Sequence, residues 1–325
     1  MRAATYRAAG PAADVLKVED LPTPQPGPGE VRVKLAFSGA NPSDVKSRSG
    51  ASNRGWNYPV TVPHSDGAGV IDAVGAGVDA SQFGCRVWVY NGQWERAFGT
   101  AAEYIALPAA QAVPLPDGVS FEAGASIGIP LMTAFHAVAA CGSLIGRSVI
   151  VAGAAGSVGH YATQLARIAG ARVIALISRA AKAAIAREAG AHDTVNYREE
   201  GVAARIKAIT GGRGASCIID LDGAGNGKHY AAWLEFGGKA VIYGSNAKDV
   251  SVPFGPMISN FVTMYFFIVY RLPAQQMRET VNGVTQLLEA GLLKHPEAAI
   301  YALDQIAAAH QRVEAGANAK VLIKL

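Results

Sequence analysis

The chemistry in this chain is concentrated in a glycine-spaced turn, Gly153-Ala-Ala-Gly156-Ser-Val-Gly159. It is preceded by the apolar run Val149–Val151 and followed by residues whose apolar positions recur at helical spacing, His160 to Gly170. A strand, a tight glycine turn and a helix start together form a pyrophosphate site. The glycines let the backbone approach the anion, and the first helical amides are free to donate to it. The spacing alone also occurs in purely structural βα turns, and the strand–turn–helix context favours a dinucleotide.

The next apolar run, Arg172–Ile177, is followed by Ser178, Arg179 and Lys182. A site for NAD usually carries Asp or Glu at this strand end to hold the ribose 2′-hydroxyl. A hydroxyl and two cations suit a 2′-phosphate instead, because guanidinium and ammonium groups make charge-assisted bonds to phosphate. NADPH is therefore the expected cofactor. Asn196-Tyr197 and Tyr243-Gly-Ser-Asn246 each follow a further apolar run. In an open α/β sheet such strand ends face the ligand crevice.

These residues need a scaffold that alternates strand and helix. From Phe121 onward the chain supplies one, with β-rich runs at 149–152, 172–177, 194–195, 217–220 and 239–244 separated by Ala-rich helical stretches. This pattern predicts a doubly wound parallel sheet of Rossmann type. The first third reads differently. Short strands at 30–38, 86–90 and 101–107 are cut by Pro and Gly, as in Pro22-Thr-Pro-Gln-Pro-Gly-Pro-Gly29. That pattern predicts an antiparallel, barrel-like β domain. The final strand, 321–325, follows helices at 275–290 and 303–314 and is expected to return to the first domain. The predicted organisation is a β-rich catalytic domain over 1–123, a nucleotide domain over 124–268, and a return segment over 269–325.

Composition agrees with a globular protein of two cores. Of 325 residues half are hydrophobic and 17% charged, and the formal net charge is +4. Lys and Arg are scattered, which argues against a nucleic-acid footprint. Cys85, Cys141 and Cys217 are few and far apart, so neither a disulfide framework nor a zinc knuckle is expected, and a reducing cytoplasm is the simplest setting. The greasy run 261–270 is too short to span a bilayer, so no membrane association is expected.

Several stretches together resemble the zinc-free medium-chain dehydrogenases/reductases, specifically the zeta-crystallin-like quinone oxidoreductases. They are Ser38-Gly-Ala-Asn-Pro-Ser-Asp44, Ser65-Asp-Gly-Ala-Gly69, Ala125–Phe135, the glycine turn, Gly190–Tyr197, Ala308-Ala-His310 and Lys320-Val-Leu-Ile323. They occur in the family's order over nearly the whole chain. The resemblance implies a GroES-like domain interrupted by a Rossmann domain, NADPH as cofactor, and a homodimer formed by edge pairing of Rossmann sheets through the 261–270 run. It places Asn41 near the nicotinamide and Thr133 against the cofactor. It assigns Ala155, Gly156, Ser157, Val158 and Gly159 to the pyrophosphate turn. Ser178, Lys182 and Tyr197 fall in the 2′-phosphate pocket, and Tyr243, Gly244 and Ser245 on the nicotinamide side. The chain also departs from the pattern. Lys46 and Ser52 stand where some relatives carry tyrosines, Cys85 replaces the usual Asp of a Gly-Asp-Arg-Val turn, and Gly92–Phe98 is an aromatic-rich loop.

His64 invites a metal reading, because zinc relatives have a His nearby. Aligning Asp66-Gly-Ala-Gly69 puts Ser65 at the ligand position instead, and the first ligand is replaced around Asn41, so no metal is expected. Without a Lewis acid to polarise an alcohol, an acceptor that is already electron-poor fits better. The implied activity is reduction of quinones or related enones, with Asn41 orienting the nicotinamide or the substrate carbonyl and water or Lys46 supplying a proton. An enoyl-thioester or alkenal reductase is the alternative within enzymes. A nucleotide-binding crystallin-like or RNA-binding protein is the alternative outside them.

Overall fold

The computed structural model describes residues 1–51, 58–316 and 319–325. The chain forms two compact units, Met1–Ile129 with Thr285–Leu325, and Pro130–Val284. The crossings thus fall at 129/130 and 284/285, where the sequence pattern placed them at 123/124 and 268/269. Both fall inside helices, Gly128–Cys141 and Ala274–Glu289. A helix running from one core into another carries no composition break, so residue type alone sets the border too early.

The first unit is built on a seven-stranded sheet. Its long central strand, Glu30–Ala40, pairs antiparallel with Asp66–Val74, with Tyr104–Pro108 and with Lys320–Lys324. The chain does return to its first domain, as the pattern predicts. Lys320–Lys324 is also flanked, in parallel, by Ala298–Ala302, a strand the sequence pattern does not reveal. Glycine permits the tight crossing of the two longest strands. A Cβ on Gly69 would lie 2.0 Å from the Lys34 carbonyl oxygen, and the pairing register shifts on both sides of Val33–Leu35.

The second unit holds six strands, all parallel, in the order Asp193–Asn196, Arg172–Ile177, Ser148–Ala152, Ala215–Asp220, Leu234–Ile242 and Thr263–Phe266. In order of appearance this is 3-2-1-4-5-6, the Rossmann arrangement. The order reverses between Ser148–Ala152 and Ala215–Asp220, which defines the crevice where ligands bind. Ile150, Ile174, Leu176, Val195, Ile218 and Ala240 form its core with Tyr230 and Trp233. Of the greasy 261–270 run only Thr263–Phe266 is strand, the sixth and outermost. No helix among the described residues is long and apolar enough to cross a membrane.

One expectation fails here. Cys141 and Cys217 are joined in a disulfide across 76 positions, with Cα atoms 6.1 Å apart. The spacing gave no hint, because the last turn of helix Gly128–Cys141 reaches the central strand Ala215–Asp220 only through the tertiary fold. A cross-link closing a loop of this length is worth up to about 4 kcal/mol through restriction of the unfolded chain. We expect reductant, or Cys141→Ser, to lower the melting temperature by several degrees. Identical melting curves with and without reductant would show that the bond contributes nothing.

Candidate functional site

The glycine turn lies at the switch point of the parallel sheet. Gly153 adopts φ +65°, a left-handed conformation that favours glycine, and a Cβ there would meet Leu221 Cδ2 at 2.4 Å. Gly159, in the first turn of helix Ser157–Ile168, packs directly on the strand end. A Cβ would come within 2.2 Å of the Gly153 carbonyl oxygen and 2.7 Å of Ala154 Cα. Gly156 is the N-cap and has no side chain to cap the helix. The amides at 157–159 are therefore available to an anion, in the field of the helix dipole. The cradle fits a pyrophosphate, with Ala155, Ser157 and Val158 forming its backbone.

At the carboxyl end of Arg172–Ile177 stand Ser178, Arg179 and Lys182, beside Asn196-Tyr197 from the neighbouring strand Asp193–Asn196. The Lys182 ammonium is pushed below its ordinary pKa by burial first, then by the positive charges of Arg179 and Arg198. No carboxylate enters that balance. Arg198 is the cation that sequence reasoning missed. Its signal was adjacency to Tyr197 on a strand end, but a single Arg after a two-residue strand pattern reads as solvated charge. Tyr197 is 49% exposed, so its ring face is open.

The opposite side of the switch point is tied by two aspartates. Asp220, fully buried, accepts from Tyr230 Oη at 2.8 Å, Asn226 Nδ2 at 3.0 Å and the Asp222 amide at 2.9 Å. Burial pushes its carboxyl pKa up, and these bonds push it back. Asp222 accepts from the Asn246 amide and side chain at 3.0 and 2.9 Å. Gly244 fits against the Leu221 carbonyl, where a Cβ would be 2.4 Å away. Tyr243 is held neutral by burial and by Asp220, and Ser245 donates to the Ala247 carbonyl at 2.7 Å. Thr133 is buried in helix Gly128–Cys141.

In the first unit Asn41 is the N-cap of helix Pro42–Ser49, where its backbone N–H donates to Asp44 Oδ2 at 2.8 Å. Its side chain is 3% exposed. It donates to Asp66 Oδ2 at 2.7 Å and accepts from Lys320 Nζ at 2.7 Å. Lys320 also reaches Asp66 Oδ2 at 3.2 Å, while Asp66 Oδ1 accepts from the Ile129 amide at 2.7 Å. Nothing in the sequence linked Lys320 to Asn41, which are 279 positions apart. Lys46 is exposed on the same helix as Asn41, and Ser52 lies outside the described residues.

His64 lies in a buried chain instead. Thr100 Oγ1 donates to the Asp66 carbonyl oxygen at 2.6 Å and so accepts from Ser38 Oγ at 2.8 Å. Ser38 must then accept from His64 Nδ1 at 2.8 Å, which leaves His64 Nε2 to accept from His310 Nε2 at 2.9 Å. Both ring nitrogens of His64 are thereby committed to protein groups. His64 also has a left-handed backbone, φ +76°, a strain that the surrounding bonds must hold.

Both imidazoles are held neutral. His310 is pushed down to about 3 and His64 well below its ordinary value, in each case chiefly by burial. Because the folded pKa values lie below the unfolded value near 6.5, the stability this pair contributes is present above that pH. It is lost as pH falls toward the folded values, at roughly 1.4 kcal/mol per pH unit for each imidazole. Denaturant midpoints at pH 7.5 and 5.5 should differ markedly. His310→Gln, which keeps a donor without a titrating ring, should make the dependence shallower by the share of one imidazole. A flat profile in the unsubstituted protein contradicts it.

Residues 27–117 match the family described as alcohol dehydrogenase GroES-like domain, and 157–289 that described as zinc-binding dehydrogenase. The human quinone oxidoreductase is 32% identical over 319 residues, covering 96% of this chain and 94% of its own. The Escherichia coli quinone oxidoreductase solved with NADPH superposes with a TM-score of 0.89 over all of both chains at 25% identity. A structure described as an NAD-dependent alcohol dehydrogenase superposes at 0.88 over all of both chains with 30% identity, so likeness of fold spans both coenzymes. The GroES-like and Rossmann units, the glycine turn at the switch point and the similarity over nearly the full length agree, and the chain belongs to the quinone oxidoreductase family of medium-chain dehydrogenases/reductases, an oxidoreductase with a nicotinamide cofactor.

Proposed function

We propose that this enzyme reduces quinones or related α,β-unsaturated carbonyls with NADPH and without zinc. The observation that carries the cofactor choice is the placing of Ser178, Arg179 and Lys182 at the end of Arg172–Ile177, where an NAD site would put a carboxylate, with Arg198 near enough to act on the Lys182 ammonium. Gly153, Ala155, Gly156, Ser157, Val158 and Gly159 would cradle the pyrophosphate. Ser178, Arg179, Lys182 and Arg198 would hold the 2′-phosphate, with Tyr197 beside it. Thr133, Tyr243, Gly244 and Ser245 would line the nicotinamide end.

When bound, NADPH supplies a hydride. The chain's own contribution is placement. A quinone that takes up a hydride needs one proton to become the hydroquinone, and solvent or the exposed Lys46 would deliver it, so no buried acid is required. His64 takes no part in this reading, since both its ring nitrogens are engaged within the domain.

A homodimer is part of the same reading. Thr263–Phe266 ends the parallel sheet, with Phe266 55% and Ile268 44% exposed, and an open apolar edge favours pairing with a second copy.

NADPH oxidation across a panel of quinones and conjugated enones tests the reading directly. Turnover of neither class would overturn it, and a strong preference for thioester-bound enoyl groups would move the substrate to that class. Replacing Arg179, Lys182 and Arg198 together by Ala should raise KM for NADPH at least about tenfold, the loss of roughly 1.4 kcal/mol of ion pairing, and leave KM for NADH unchanged. Equal effects on both coenzymes would reject the phosphate role.

A further inference from the structure

The disulfide of the second unit is unequal at its two ends. Cys217 lies in the strand Ala215–Asp220 and is 1% exposed, with Val149 as its register partner on one side and Lys239 on the other. Cys141 is the last residue of helix Gly128–Cys141 and is partly exposed. A reagent from solvent therefore reaches one sulfur of the bond and not the other. A third group is gathered at the same point. The Lys239 Nζ donates to the Ala140 carbonyl at 2.9 Å, one residue before Cys141. The ammonium is thus tied to both partners of the bond, to Cys217 through the sheet register and to Cys141 through the preceding carbonyl.

In disulfide exchange the thiolate is the form that attacks and the form that leaves, and a nearby cation favours it. A thiolate released at Cys217 is cut off from water, so its charge must be met by a protein group. The Lys239 ammonium is placed to meet it. At Cys141 the negative end of the helix dipole opposes a thiolate, and the same ammonium, docked on the Ala140 carbonyl, offsets that field. The helix end also has two ties to the sheet, the covalent one to Ala215–Asp220 and the Lys239 bond to Leu234–Ile242. Opening the disulfide removes the first and leaves the second.

We propose that Cys141–Cys217 is a reversible thiol–disulfide exchange site, opened by a small thiolate at Cys141 Sγ, with Cys217 as the leaving and resolving sulfur beside Lys239. In the first step the small thiolate bonds to Cys141 Sγ, the bond between the two cysteines breaks, and its electron pair stays on Cys217. A second thiolate then attacks the small thiol's sulfur in the mixed disulfide and releases Cys141 as a thiolate. Two small thiols become their disulfide, and the protein pair takes up their two electrons and two protons. Closing is the reverse. Cys141 attacks the small disulfide, and Cys217 then displaces the small thiol from Cys141. In the open form Lys239 still holds the helix end, and Gly142, whose amide donates to the Ala139 carbonyl at 3.1 Å, loses its covalent neighbour's restraint.

The test uses the full chain with Cys85→Ser throughout, which removes the free cysteine. Single-cysteine proteins decide the point of attack. With oxidised glutathione, protein carrying Cys217→Ser should form a mixed disulfide at Cys141, read by intact mass. It should do so at least about tenfold faster than protein carrying Cys141→Ser forms one at Cys217, since burial keeps a thiol inert. In the protein with both cysteines, reduced glutathione should open the bond in native buffer at a rate proportional to thiolate concentration. Exchange of the Gly142 amide should rise in the opened form while Ala215–Asp220 stays protected. Lys239→Gln, which keeps a donor without the charge, should slow opening roughly three- to tenfold, the effect of a leaving sulfur losing its neighbouring cation. Lys239→Arg should restore most of the rate. If Lys239→Gln does not fold, an anionic thiol compared with a cationic one at equal thiolate concentration decides, because the ammonium should favour the anionic one. Equal reaction at Cys141 and Cys217 overturns the proposal, as does opening at a rate independent of thiol, which reports global unfolding. Unchanged opening in Lys239→Gln, or no preference between the two thiols, overturns the part given to Lys239.

Discussion

The first unit depends on the carboxylate of Asp66. One oxygen takes the amide of Ile129 at the start of helix Gly128–Cys141, and the other takes Asn41 and Lys320. A single side chain thereby joins the strand Asp66–Val74, the N-cap of helix Pro42–Ser49, the strand Lys320–Lys324 and the helix that carries the chain out of this unit. Fully buried charge is tolerated only where it is so completely partnered. The neighbouring glycines exist to admit it. A Cβ on Gly128 would fall 2.2 Å from Asp66 Oδ1.

In the second unit steric exclusion plays the role that charge plays in the first. Gly153 and Gly159 let helix Ser157–Ile168 close on the strand it follows, and Gly244 lets the opposite strand end close on Leu221. Two aspartates with different tasks hold that second edge. Asp220 is buried and anchors the turn from within, while Asp222 ties the turn to Asn246 at its rim. The crevice between the two edges is shaped by close backbone approach, and charge gathers at the end where Arg179 and Lys182 stand.

Most of the second unit was legible because its determinants are local. Strand, glycine turn and helix follow one another within about twenty residues, and the cations at 178–182 follow the next strand. The pieces that escaped were set by long-range packing. Lys320 reads as an ordinary strand-start charge until the sheet brings it to Asn41, and His310 as one polar position on an amphipathic helix until it meets His64. Ala298–Ala302 is rich in small residues and gains strand character only from its neighbour. Cys141 and Cys217 met for the same reason, and the domain border at 284/285 was hidden inside a continuous helix.

The strand Lys320–Lys324 lies inside the first unit's sheet, flanked on one side by Ala298–Ala302 and on the other by Glu30–Ala40. During synthesis the early strands emerge long before their neighbour does. All of Pro130–Val284 is translated in between, which at ribosomal speed takes on the order of ten seconds or more. The nucleotide unit, contiguous in sequence, has everything it needs to fold first. The first unit must wait with one flank of its longest strand open over 37–40, so the order in which the two halves mature is written into the topology.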